Sequence, residues 1–149
     1  MAEHINKRHN RNLLLYHAVC PIKYRRKVLT EDSEKTLKDI CEAISQRYEI
    51  RFVEIGTDED HVHFLLQTVP NMTPSVMVKT IKSITAKEMF KRHTEIRKLL
   101  WGGKFWTSGF YINTVGQYGN ESMIRNYVKN QGREYRQIQR NQPTLFDNL

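Results

Sequence analysis

At 149 residues, 39% of them hydrophobic, the chain has the size and composition of one charged domain built on a single core. No apolar run reaches membrane-spanning length, and the charges between Met1 and Arg8 are not followed by the apolar stretch of a signal peptide, so a cytoplasmic protein with no membrane partner is expected. The 24 Lys and Arg against 16 Asp and Glu leave a net charge of +8, which favours a polyanionic partner, nucleic acid first, through counterion release.

Residues 1–11 are polar and basic and read as a loose arm. Asn12 to Cys20 reads as a strand apolar on both faces, hence central in a sheet, and Pro21 ends it. A basic stretch follows, Lys23-Tyr24-Arg25-Arg26-Lys27, then a short apolar return at Val28-Leu29. Thr30-Glu31-Asp32-Ser33 offers helix-capping side chains, and Leu37, Ile40, Cys41, Ile44 and Tyr48 recur at helical spacing, predicting a helix over 31–48. Strands are predicted from Arg51 to Gly56 and from His61 to Gln67, joined as a hairpin by the polar turn 57–60. Thr73 as cap and Pro74 at the first helical position open a helix over 74–92, with Ile81, Ile84 and Met89 facing inward. Gly102-Gly103 breaks the chain, and Phe105-Trp106 and then Phe110 to Val115 read as a fourth strand region. Gly116-Gln117-Tyr118-Gly119 reads as a joint, Asn120 as the cap of a last helix over 121–131 that can run on to 139, and 141–149 as a loose tail. Cys20 and Cys41 lie in apolar patterns without metal-ligand spacing and read as buried free thiols.

The order β-α-β-β-α-β-α is that of an α+β ferredoxin-like (split βαβ) sandwich. Its antiparallel sheet carries the two long helices on one face, leaves the other face for a ligand, and is joined by an added C-terminal helix. That fold hosts many functions, so it decides none.

The chemistry-bearing pattern is His61-Val62-His63. Residues two apart in a strand point to one side, so both imidazoles leave the same face of the sheet as half of a metal site. Tyr127 and Gln131, four apart on the last predicted helix, share a helix face and can supply the other half. A phenol, with its pKa near ~10, is a poor nucleophile at neutral pH. A divalent cation that polarises and neutralises a phosphate makes its attack feasible. The resulting phosphotyrosine ester keeps the bond energy, so the strand can be rejoined without ATP, in agreement with the absence of a GxxxxGK[ST] loop. Each part also fits a structural role: the histidines as a strand pair without metal, Tyr127 as part of the apolar stripe of Met123, Ile124 and Val128, Gln131 as an exposed polar group. Asp60 is expected on the strand face opposite the histidines, which leaves a water-activating hydrolase without a general base.

His61-Val62-His63, then Phe105-Trp106, Thr114-Val115-Gly116 and Tyr127-Val128-Lys129-Asn130-Gln131, preceded by Lys23-Tyr24-Arg25-Arg26-Lys27, together resemble the single-tyrosine HUH transposases of the smallest bacterial insertion sequences, the IS200-like type. The likeness runs from about residue 12 to 131. It implies that Tyr127 cuts single-stranded DNA and keeps the 5′ phosphate, with His61, His63 and Gln131 as ligands of Mg²⁺ or Mn²⁺. It also implies hairpin-ended DNA as substrate and a homodimer in which the tyrosine helix of one subunit can complete the active site of the other. Two imidazoles and an amide suit manganese at least as well as magnesium. DNA contacts are expected from the loop Lys23, Arg25 and Arg26 and from the helix face of Lys79, Lys82 and Lys87, with plain solvated charge as the alternative for each. Phe105 or Trp106 can stack on an unpaired base, while core packing is the expected role of at least one of them. Two other readings share parts of this pattern: a host-adopted HUH endonuclease that processes repeat hairpins, and a nucleic-acid-binding module without chemistry.

Overall fold

The computed structural model describes residues 2–116. Tyr127 and Gln131, and the expected joint beyond Gly116, last helix and tail, lie outside the described residues.

The N-terminal arm is not loose. Ile5–Lys7 (β1) and Asn10–Asn12 (β2) pair as a small antiparallel hairpin. It is tied down by an ion pair between Lys7 and Glu49 and by Gln67 Nε2 donating to the carbonyl of Glu3. The segment lacks an apolar period because its strands pair mainly with each other, which left no burial pattern to read.

The main sheet comprises Leu14–Pro21 (β3), Arg51–Asp58 (β4), His61–Thr68 (β5) and Tyr111–Thr114 (β6), in the order β4-β5-β3-β6 with every neighbouring pair antiparallel. β3 and β4 flank β5, and β5 and β6 flank β3, which is the split βαβ arrangement. The first crossover is Glu31–Arg47 (α1). Thr30 caps it in a reciprocal box with Ser33, Ser33 N donating to Thr30 Oγ1 and Thr30 N to Ser33 Oγ. The second is Pro74–Arg92 (α2), where Thr73 Oγ1 accepts from Val76 N and Pro74 occupies the first turn. A six-residue helix not foreseen from the sequence, Thr94–Leu99 (α3), follows. Between α2 and α3, His93 Nε2 lies 2.8 Å from Thr36 Oγ1 and its Nδ1 2.8 Å from Glu95 Oε1.

Alternation sorts the strands. Ala18, Cys20, Val62, Phe64 and Leu66 join the core with Leu37, Ile40, Ile44, Met77, Ile81 and Met89 of the helices. Cys20 and Cys41 are free thiols within it, and burial pushes Cys20 up to about 12 and Cys41 still higher. The opposite face, expected to lie open, is buried at His17, Val19, His61, His63, Leu65 and Gln67.

Candidate metal centre

The hairpin between β4 and β5 builds the centre. Thr57 and Asp58, expected in the turn, remain in β4 and pair with Val62 and His61, so only Glu59 and Asp60 make the connection. A two-residue loop fixes register, and this register sets Asp58 directly opposite His61. Asp58 Oδ2 lies 3.2 Å from His61 Nε2. Asp58, His61 and His63 each offer a donor atom, all within 4.8 Å of one another.

Asp60 departs from the sequence expectation. As a turn residue it is released from strand alternation, and its Oδ1 lies 2.7 Å from Nδ1 of His61. Its other oxygen meets Arg25 Nη2 at 3.3 Å. Arg25, expected to contact DNA, therefore also holds the carboxylate that holds His61. With Nδ1 donating to Asp60, the ring presents the Nε2 lone pair on the Asp58 side, the arrangement in which an outer carboxylate orients a ligating imidazole.

His63 is oriented from the other side. Its Nδ1 lies 3.2 Å from Nε2 of His17 in β3. The rings are parallel within 4° with centroids 5.5 Å apart. That separation is what the N···N distance and two ring radii require, so the rings meet edge to edge in one plane and not face to face. Burial pushes His17 down to about 4, against a smaller opposite pull from the side chain of Asn113, its cross-strand partner in β6. His61 and His63 themselves stand with centroids 4.8 Å apart at 69°.

The donor set fits a divalent cation: one carboxylate oxygen and two imidazole nitrogens, converging at ligand spacing. It leans toward a transition ion such as manganese, since magnesium prefers oxygen ligands. Sequence reading missed Asp58 and His17. The signal for Asp58 was its position three before His61 across a two-residue turn. The signal for His17 was a lone imidazole in an otherwise apolar strand.

The expected DNA contacts divide. Lys79 and Arg26 are exposed, and Lys23 partly so. Lys82 instead donates to the carbonyls of Thr107 (2.6 Å) and Gly109 (3.4 Å) and lies 5.8 Å from the centroid of the Phe110 ring. Trp106, 5% exposed, donates from Nε1 to Thr85 Oγ1 at 2.9 Å, and Phe105 is fully buried. Core packing and this internal hydrogen bond bury both rings, the role expected from the sequence for at least one of them.

Residues 10–131 match the family described as "Transposase IS200 like". Over 118 residues the chain is 31% identical to the ISDra2 transposase TnpA of Deinococcus radiodurans, covering 79% of this chain and 84% of that one. Over 123 residues it is 27% identical to the transposase for insertion sequence element IS200 of Salmonella typhimurium, covering 83% and 80%. Among solved structures, one assigned to a transposase of Deinococcus radiodurans R1 superposes with a TM-score of 0.70 at 29% identity, over 85% of this chain and 97% of that one. A REP-associated tyrosine transposase bound to a REP hairpin superposes with a TM-score of 0.58 at 8% identity, over 88% and 74%, a likeness of fold.

Proposed function

The chain belongs to the IS200-like transposase family, and from that premise we propose that it cuts and rejoins single-stranded DNA at the ends of an insertion sequence, with Tyr127 as nucleophile. The observation that carries the reading is the convergence of half-buried Asp58 with the buried His61 and His63 on one patch of the sheet.

In the proposed step the Tyr127 oxygen bonds to phosphorus and the bond to the 3′ oxygen breaks. The phenol gives up a proton and the 3′ oxygen takes one up, so a 3′-OH and a 5′-phosphotyrosine remain and the reverse step needs no energy source. His61, His63 and Asp58 would hold the divalent ion, Mg²⁺ or Mn²⁺, with Gln131 as a further ligand. Such an ion supplies polarisation of a non-bridging phosphate oxygen and neutralisation of its charge. Asp60 and His17 would keep the two imidazoles oriented for such an ion. The excess of positive charge supports a DNA substrate. Hairpin-ended DNA, a cytoplasmic site of action and a homodimer able to share its active sites complete the proposal; among the described residues no helix is long and apolar enough to cross a membrane.

The test is a labelled single strand carrying a terminal hairpin. With Mn²⁺ or Mg²⁺ the protein should form a covalent adduct and release a 3′-OH fragment. Tyr127→Phe should abolish the adduct, and chelation should abolish it reversibly. An adduct formed by Tyr127→Phe, or binding without cutting under all metal conditions, would overturn the reading.

A further inference from the structure

Two large aromatic rings stand in water, one of them next in the chain to Arg25, which reaches Asp60 behind His61. Tyr24 is 51% exposed and Trp101 65% exposed, in a chain that buries Phe64, Phe105 and Trp106. The two rings stack on each other, centroids 5.3 Å apart and 24° between planes. Tyr24 is held there by unusual backbone. It and Arg25 are consecutive non-glycine residues in the left-handed region, at φ 60° and 54°, a conformation that persists only where its surroundings impose it. The turn is tied to the Trp101 segment. Lys23 N donates to the Phe105 carbonyl at 2.8 Å, and a Cβ added at Gly102 would lie 4.0 Å from the Tyr24 hydroxyl.

The turn sends its side chains two ways. Arg25 reaches Asp60, the carboxylate that holds His61. Tyr24 goes outward to Trp101, with Lys23 Nζ 5.3 Å from its ring centroid and Arg26 and Lys27 next in the chain. Flat apolar faces edged by cations suit a ligand that is itself flat, apolar on its faces and joined to an anionic backbone. We propose that Tyr24 and Trp101 form a stacking platform for an unpaired nucleobase of the DNA strand processed at the Asp58–His61–His63 centre. This rests on the DNA-processing reading above and adds to it a binding site for a base.

Binding is read by anisotropy of a fluorophore on the strand and, in wild type, also by Trp101 fluorescence, because the chain has two tryptophans and Trp106 is buried. The full chain is titrated with an unstructured mixed-sequence 20-mer and with a fully abasic 20-mer of equal charge. The base-bearing strand should quench the exposed tryptophan. Trp101→Ala and Tyr24→Asn, the latter chosen because Asn tolerates left-handed backbone, should each bind it about ten-fold more weakly. Trp101→Phe and Tyr24→Phe should restore most of the affinity. The abasic strand should bind wild type and variants alike. Unchanged binding of the base-bearing strand by Trp101→Ala and Tyr24→Asn, or an equal loss on the abasic strand, would overturn the platform and leave the cleavage reading standing. Failure of every strand to bind wild type would overturn both.

Discussion

Nε2 of His17 and Nδ1 of His63 face each other at 3.2 Å in one plane, joining β3 to the candidate metal centre through a buried imidazole pair. An imidazole that ligates through Nε2 carries its proton on Nδ1, so His63 must donate and His17 must accept. A neutral His17 meets that demand. A protonated one would set two N–H groups against each other.

Replacing His17 by Ala should therefore weaken Mn²⁺ binding about 10- to 100-fold, the usual cost of losing a partner that orients a ligating imidazole. His17→Gln can still accept through Oε1 and should recover part of the loss. Calorimetric titration of Mn²⁺ into the DNA-free protein reads this without recourse to activity. Equal affinities for wild type and His17→Ala would remove His17 from the design of the centre.

The same residue gives a pH dependence to stability. An unfolded His17 protonates near 6.5 and the folded one near 4. Between those values the unfolded chain binds more protons, so this contribution is complete above about pH 6.5 and lost as pH falls toward 4. At the bottom of the window the loss is of the order of 3 kcal/mol. Urea unfolding of wild type and His17→Gln at pH 7 and pH 4.5 isolates it from the carboxylates that titrate in the same range. Wild type should lose more stability than the variant on acidification; parallel losses would contradict the assignment.

The two aspartates of the hairpin, Asp58 at the end of β4 and Asp60 in the turn, should separate by role. Asp58 stands among the donors and Asp60 behind His61. Asp58→Asn removes a charged ligand and should abolish measurable Mn²⁺ binding at micromolar metal. Asp60→Asn retains an oxygen able to accept from His61 Nδ1 and should cost about ten-fold. If the order of the two effects were reversed, the carboxylate completing the centre would be Asp60.

The parts of the fold that announced themselves were those with a period or a cap. The helix at Pro74–Arg92 was legible to the residue from Thr73-Pro74 and its basic end, and β5 from its uninterrupted run of strand-forming residues. The hairpin turn was harder. Asp58 looks like loop in Thr57-Asp58-Glu59-Asp60, and only pairing with His61 draws it into β4 and makes it a donor. The β1–β2 hairpin left no burial pattern because its residues are mostly exposed. Trp106 was ambiguous for the opposite reason. Its local sequence fits both stacking on a base and core packing, and what fixes the indole is a buried partner 21 residues away, a pairing no local pattern encodes.

That buried pair gives the last prediction. Trp106 Nε1 donates to Thr85 Oγ1, and Thr85 in turn donates to the Ile81 carbonyl at 2.6 Å within α2. Thr85→Val keeps the shape and removes the acceptor, leaving the indole N–H dry and unmatched at a cost of about 1–3 kcal/mol. Trp106→Phe removes the donor but also leaves a cavity, so it should cost more, and the hydroxyl it orphans still has the Ile81 carbonyl. In the Thr85→Val, Trp106→Phe double variant the unmatched N–H is gone, and the combined loss should fall short of the sum of the single losses by about 1 kcal/mol. Strict additivity in urea unfolding would mean that the indole finds another acceptor, and that Trp106 is held by packing alone.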